Sequence, residues 1–364
     1  PRWSKFSRVG SAPLRLHAWQ MEKATPCPHP VGAVSESASI LRDGVGLTAA
    51  FSDERTVRRR LLASTVVVVI AASQVAAIQL TRMVQDDLAA PFFVMYIHAA
   101  MMVLCLPAAR VLAPASEHVR ATVRQVAPFL LLWVVSNYCF TFALKLAPAG
   151  LVQTLFGTAP AVVTVLSRFV LAEPLTARRT VAVLLAIIGA VAVSSRGWAG
   201  ASAPGGVLGG GVLSLAAVFA AACYKVSFKA CLGEPPAFAV LRFVGTVGLV
   251  AAVVEAPVSL GLSVAGVEDR WWSSGINWSL LFGGAAIDVA YNTSIAFGLS
   301  ISSPVFVALG TILATPANLA VDALAHGEIP TIAEACGAVI IVGSFTLLLM
   351  EPGGVAAREA AANG

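Results

Sequence analysis

Ten apolar stretches of about 20 residues recur along this chain from Leu61 onward. A helix needs about 20 apolar residues to cross the hydrocarbon core of a bilayer, so each stretch has the length of one crossing. Charged residues make up only 12% of the 364 positions, about half the usual share for a soluble domain. So few charges cannot cover a soluble surface, and lipid must cover it instead. We therefore predict an all-α integral membrane protein with about ten transmembrane helices, near residues 61–82, 91–112, 124–146, 149–172, 177–195, 206–230, 236–256, 278–299, 301–323 and 329–350.

The connections between these stretches predict how the helices cross the membrane. Some are very short, such as Ala147-Pro148 and Ser300, so neighbouring helices should form antiparallel hairpins. Cytosolic connections carry an excess of Lys and Arg. With the N-terminus in the cytosol, the cytosolic connections and helix ends hold ten basic residues and the opposite side holds four, which predicts that both termini are cytosolic.

The two ends of the chain differ from the apolar region. Residues 1–60 are polar and hold ten of the 24 Lys and Arg residues, without helical periodicity. We expect a disordered basic tail in the cytosol, with a targeting peptide as the alternative. Residues 351–364 are expected to form a second cytosolic tail. The sequence shows no basic face interleaved with exposed aromatics, so no nucleic-acid partner is expected.

The apolar region repeats itself. A shift of 155 residues brings Asn137 onto Asn292 and Glu173 onto Glu328, and both residue types are rare in this chain. The two halves, 61–195 and 206–350, would each hold five helices. Because five is odd, the second half must be inserted upside down. Inverted repeats of this kind are typical of transporters that hold their substrate near the midplane.

Several short motifs, in order, resemble the drug/metabolite transporter superfamily, whose repeats are called EamA domains. The chain is most similar to the thiamine-transporter-like F branch of solute carrier family 35. The motifs are Gln79 with Pro91-Phe92, Ala127-Pro128-Phe129, Trp133, Asn137-Tyr138, Tyr224-Lys225-Val226, Phe297-Gly298 and Pro316-Ala317-Asn318. The resemblance implies a ten-helix transporter that works by alternating access. Gly157-Thr158-Ala159-Pro160 departs from the polar fourth helix of the relatives, which weakens any transfer of substrate preference.

Polar side chains inside the predicted helices are candidates for substrate binding, because they are costly in lipid unless they have partners or face a cavity. Asp288, Tyr291 and Asn292 share one helical face, and the repeat places Trp133 and Asn137 on the related face of the third helix. Our hypothesis is that these faces meet at a central cavity. The alternative is that they make helix–helix hydrogen bonds, and for Asn137 and Asn292 the two interpretations are evenly balanced.

Two further polar residues complete the candidate lining. Asn318 belongs to a polar face of the ninth helix, and Gln79 lies near the end of the first. His98 is the only histidine within a span, and a lone histidine in an apolar helix is more often a hydrogen-bonded structural residue. Lys225 and Lys229 lie near a helix end, where long side chains reach the interface.

The charge balance favours one class of substrate. The sequence places no Lys or Arg near the midplane and one acid there, Asp288, which favours a cationic or neutral solute such as thiamine. Trp133 or Tyr291 would stack on such a cation, and Asp288 would carry a coupling proton. A nucleotide-sugar or other metabolite transporter of the same superfamily is the alternative.

Other functional classes fit the sequence less well. No HExxH motif, no pair of intramembrane aspartates and no Ser/His arrangement at membrane depth is found, so an intramembrane enzyme is not expected. A non-transporting receptor or scaffold would not need inverted repeats. The six cysteines show no metal-ligand spacing, and no cofactor or metal is expected.

Overall fold

A computed structural model describes residues 61–113, 123–195 and 204–350 of the chain, apart from 82, 85, 86, 273, 274, 326 and 328. Within these residues, ten helices are long and apolar enough to cross a membrane, which confirms the predicted number. They are α1 (Leu61–Thr81), α2 (Pro91–Leu112), α3 (Val123–Leu146), α4 (Ala149–Phe156 and Ala159–Val170), α5 (Ala177–Ser194), α6 (Pro204–Leu232), α7 (Ala237–Val264), α8 (Trp278–Ile301), α9 (Pro304–Ile312 and Ala314–Ala325) and α10 (Ile332–Leu349). The predicted tails and Glu328 lie outside the described residues.

Three helix boundaries differ from the sequence prediction. The seventh helix runs to Val264 rather than ending near residue 256, with Pro257 inside it. Ser300 is not a turn: α8 continues through it to Ile301, and Ser303 caps α9 by accepting a hydrogen bond from the Phe306 backbone N–H. A serine oxygen at this position satisfies one of the unpaired N–H groups that begin a helix.

The last three helices of each half coincide under the shift of 155 residues. That shift brings the bounds of α3 onto those of α8 and the bounds of α5 onto those of α10. It also superposes two interruptions, because Thr158 in the break of α4 falls on Leu313 in the break of α9. Thr176 and Thr331 are likewise related, and each caps the helix that follows it. The bounds of α1 and α2 do not fall on those of α6 and α7 under this shift, so the local structure follows it only in these last three helices.

Large apolar side chains cover the outside of the described bundle. Phe169 and Leu324 are 81% and 89% exposed, a pattern suited to lipid and unusual for a soluble surface. The described interior holds two large apolar clusters and two smaller ones. One large cluster is formed by side chains of α2, α3, α6, α7 and α8 with part of α1, and the other mainly by α4, α5, α6, α9 and α10.

Glycines allow the closest helix contacts. α5 and α10 approach at Gly189 and Gly337, where a Cβ on Gly337 would lie 2.7 Å from the Gly189 carbonyl oxygen and 2.8 Å from the Val193 nitrogen. Small residues at such crossings let two backbones approach, which is how helices gain packing energy in lipid.

This contact gives a paired prediction on one helix. Gly337→Ala should destabilise the protein by about 1–3 kcal/mol, because the added methyl group meets backbone atoms that cannot move aside. Gly343→Ala is the matched control, since a Cβ there has nothing within 4 Å and alanine favours the helix by up to about 1 kcal/mol. Thermal unfolding in detergent compares the two. A Gly337→Ala protein that melts as high as the control would contradict the close approach.

Candidate functional site

A hydrogen-bonded group of polar side chains joins α3 and α8 inside the bundle. The Trp133 indole N–H donates to Asn292 Oδ1 over 3.1 Å. The Asn292 amide donates to Asp288 Oδ2 over 2.9 Å and to the Asp288 backbone carbonyl over 3.0 Å. Asp288 lies about 15 Å along α8 from its first residue, close to half the thickness of a bilayer core. The structure thus brings together three of the residues predicted from the sequence.

His98 of α2 completes this group, and the sequence did not assign it there. Its Nδ1 lies 3.8 Å from Asp288 Oδ2, and the two side chains are only 10% and 15% exposed. We call Trp133, Asn292, Asp288 and His98 the Asp288 group. It draws residues from three helices and from both halves of the chain, and it puts one acidic and one basic side chain side by side within the spans.

Two predicted site residues lie near this group without joining its hydrogen bonds. Tyr291 is partly buried and packs against the apolar cluster that α2, α3, α6, α7 and α8 share. Asn137 is exposed and donates to the Trp133 carbonyl over 2.8 Å. The repeat-related bond is that of Asn292 to the Asp288 carbonyl. Asn137 thus bonds within its own helix, which is neither a bond between helices nor a contact with a ligand.

The remaining two predicted residues form a second group. The Gln79 amide donates to Asp322 Oδ1 over 3.1 Å and to Asn318 Oδ1 over 3.5 Å, which links α1 to α9. We call these three residues the Gln79 group. A cleft of about 590 Å³ borders it, lined mainly by small and apolar side chains of α1 and α9. The seven predicted site residues are therefore divided between two regions.

Residues 265–277 connect α7 to α8, and we call them the connector. At one end of the bundle, the connector lies against the first turn of α2. Glu268 accepts hydrogen bonds from the backbone N–H groups of Phe92 (2.8 Å) and Phe93 (3.3 Å) in the first turn of α2. Trp271 stacks on Phe93, with ring centroids 4.9 Å apart. Between the connector, Pro91 and Lys145 there remains a void of about 20 Å³. We refer to this end of the bundle as the connector end.

Glu268 is buried at this contact, and burial raises the pKa of its carboxyl. The Phe92 and Phe93 N–H groups and the charge of Lys145 act in the opposite direction, because they stabilise the carboxylate. The net result is a raised pKa for Glu268, because the effect of burial is larger than theirs. Docking of the connector on α2 is therefore tied to the protonation of one side chain outside the spans.

Lys225 of α6 differs from the sequence prediction. It was expected to reach the interface from near the helix end, yet it is only 8% exposed. Lys229, one turn later, donates to the Leu299 carbonyl over 3.1 Å and to the Ser300 carbonyl over 3.4 Å. Packing of α6 against its neighbours buries the Lys225 stem, which a helical pattern in one sequence does not reveal.

Comparison with known proteins agrees with this architecture. Residues 61–195 match the EamA-like transporter family. Over 231 residues the chain is 31% identical to solute carrier family 35 member F3 of Mus musculus, which covers 63% of this chain and 53% of that protein. In its matched parts this chain is similar to the EamA-like transporter family and to the F members of solute carrier family 35. The resemblance inferred from its motifs is confirmed.

Other relatives extend the comparison. Member F4 of Homo sapiens is 29% identical over 229 residues, covering 62% of this chain and 43% of that protein. The chain thus spans about half the length of the curated relatives it matches. A solved crystal structure of a protein 16% identical superposes with a TM-score of 0.63, over 79% of this chain and 99% of the other. At that identity the match shows the fold alone.

Proposed function

We propose that this protein is a secondary transporter that carries a small organic solute across a membrane by alternating access. The observation that supports this most is the Asp288 group, in which polar side chains of α2, α3 and α8 meet at membrane depth. Ionisable residues inside a membrane bundle are costly and usually mark a substrate or ion path. The names of the solute carrier relatives agree with transport. No catalytic role is assigned to any residue.

A cationic or neutral solute fits the Asp288 group best, and thiamine is one example. The contacts of Asp288 with Asn292 and His98 both use Oδ2. Oδ1 takes part in neither of them, and we assign it to the cation. Trp133 places an indole beside the carboxylate, and an aromatic face attracts a cation. We assign the Gln79 group to holding α1 against α9, because its bonds join those two helices.

A nucleotide sugar or another anionic metabolite is the second candidate. The Lys225 side chain, which is only 8% exposed, is the observation that favours it, because a phosphate would need a cationic partner inside the bundle. We favour the cation, because Asp288 belongs to a connected polar group. In either case both termini are proposed to lie in the cytosol, as the distribution of Lys and Arg predicts.

Thermal stabilisation of the purified protein tests these assignments. A ligand that binds only the folded state raises its melting temperature in proportion to RT ln(1 + [L]/Kd). We expect thiamine or another organic cation to raise it, and nucleotide sugars to leave it unchanged. A rise with nucleotide sugars only would overturn the cation assignment and favour Lys225. Uptake of the stabilising ligand into proteoliposomes then tests transport itself, and binding without uptake would favour a receptor.

A further inference from the structure

The buried face of α7 becomes polar towards the connector end. Glu255, Ser259 and Ser263 follow at intervals of four residues, so they share one face. They are 3%, 2% and 0% exposed, while the neighbouring Val253, Val254 and Val258 are exposed. In the last ten residues of α7, the buried positions are these three polar ones. We call them the polar face of α7.

Two of these side chains lack partners. Among the described residues, neither carboxyl oxygen of Glu255 nor the hydroxyl of Ser259 has a hydrogen-bond partner. Buried Ser214 and Thr246, by contrast, donate to the carbonyl four residues earlier in their own helices, whereas the buried Ser167 hydroxyl also lacks a partner among the described residues. Ser263 instead donates to the Asp269 carbonyl in the connector, over 3.1 Å. The polar face thus runs from an unpartnered carboxyl to the connector.

The surroundings of Glu255 supply no counter-charge to it. α7 packs against α2, α3 and α8. On α2, contacts of Gly245 with Leu106 and of Gly248 with Met102 set the antiparallel register, which places Tyr96 level with Glu255. Towards the connector end, these helices also hold several other titratable groups. They are His98 and Asp288, which lie beside each other, Tyr291, Tyr138, and Lys145 close to Glu268.

A carboxylate buried in this way is stable only if it is neutralised. An ionised group without donors is far more costly in an apolar interior than a protonated one. A metal ion is a poor fit, because hard cations such as Ca²⁺ take six to eight oxygen ligands and the polar face offers one carboxyl and two hydroxyls. A proton needs only one carboxyl oxygen.

We propose that Glu255 is a proton-binding site and that Ser259 and Ser263 form its route to the connector end. One proton binds to a carboxylate oxygen of Glu255 and leaves from it, and no other bond changes. Successive side chains on the face are about 6 Å apart along the helix axis, a gap that one water molecule can bridge. Pro257 has no backbone N–H to donate to the Val253 carbonyl, so the helix can bend close to Glu255.

This assignment deepens the proposed function and rests on it. If Asp288 holds the substrate cation, a proton that drives transport in the same direction needs a second carboxyl. Glu255 provides one on a neighbouring helix. The coupling proton is therefore assigned to Glu255 instead of Asp288.

Infrared spectroscopy of the full chain in lipid nanodiscs at neutral pH tests the site without any substrate. A protonated carboxyl gives a C=O stretching band that an ionised one lacks. We expect Glu255→Gln to lose this band, while Asp288→Asn keeps it. Glutamine is close in shape to protonated glutamic acid, so the fold should persist. Glu255→Met provides a second variant that removes the band without adding an amide absorption.

Exchange into D₂O distinguishes a carboxyl that exchanges its proton with solvent, as transport requires, from a structural carboxyl that has no access to solvent. A band assigned to Glu255 should shift within minutes in the wild type, and more slowly in Ser259→Ala because the route is interrupted. Absence of the band, or a band that resists exchange for hours, would overturn the proposal. Failure of every cation to bind or be taken up would instead overturn the proposed function, and leave the infrared result standing.

Discussion

Replacing Asp288 with asparagine should remove cation binding, lowering the affinity for a stabilising cation at least about tenfold. The substitution keeps the shape of the side chain but removes the charge that would pair with the ligand. Loss of one partner of a buried charge pair costs about 2–5 kcal/mol, and a factor of ten corresponds to about 1.4 kcal/mol. The Asn292 amide, which donates to Asp288 Oδ2 over 2.9 Å, can still donate to the oxygen of the new amide. The melting-temperature shift with thiamine or the best cation of the panel measures the effect.

Asp322→Asn is the matched control for this variant. It makes the same chemical change in the Gln79 group, where Asp322 accepts a hydrogen bond from Gln79 over 3.1 Å. We expect the cation to stabilise this variant nearly as well as the wild type. If Asp322→Asn loses binding and Asp288→Asn keeps it, the substrate site is the Gln79 group beside the cleft of about 590 Å³. If both variants bind normally, neither acid contacts the ligand.

The helices were predictable because each obeys a rule that acts along the sequence. A membrane crossing needs a fixed length of apolar residues, and the ten stretches supply it. The exception was α7, whose last part contains Pro257 and two serines and resembles a loop. In the structure the serines face inward and the helix continues to Val264. Glu255, which a shorter helix would place at the membrane surface, is therefore buried.

The composition of the Asp288 group was only partly predictable. Asp288 and Asn292 are one turn apart, so their contact follows from helical spacing. His98 lies 190 positions earlier in the sequence, and only the packing of α2 against α8 brings it to Asp288. The repeat also suggested that Asn137 and Asn292 act alike. They do not, because the position equivalent to Asp288 is Trp133, so only one of the two amides has a carboxylate to bind.

Replacing Glu268 with alanine should release the connector from α2 and lower the stability of this contact by about 1–3 kcal/mol for each buried donor left without a partner. Glu268 now accepts from the N–H groups of Phe92 and Phe93. Those groups belong to the first turn of a helix, where they have no partner within the helix and attract negative charge. Protease cleavage within residues 265–272, compared with the wild type under native conditions, reports the release.

The stability of the contact between the connector and α2 should depend on pH, and the burial of Glu268 sets the direction of this dependence. Since burial raises the pKa of Glu268, folding favours its neutral form. Its contribution to stability is therefore complete at low pH and falls as the pH rises through the raised value. The melting temperature of the wild type, relative to that of Glu268→Gln, should decline over this range. Asp269→Asn should keep a decline but move it to lower pH, because the charge of Asp269 raises the pKa of Glu268 and Glu268 is intact.

The charge of Lys145 affects the pH range over which the melting temperature of the wild type declines relative to that of Glu268→Gln. This charge lowers the pKa of Glu268, so Lys145→Met should raise that pKa further and move the decline to higher pH. A decline that moves to lower pH, or that persists in Glu268→Gln, would show that another group controls the connector. If the decline moves as expected, a transporter that opens at the connector end would open more readily at alkaline pH.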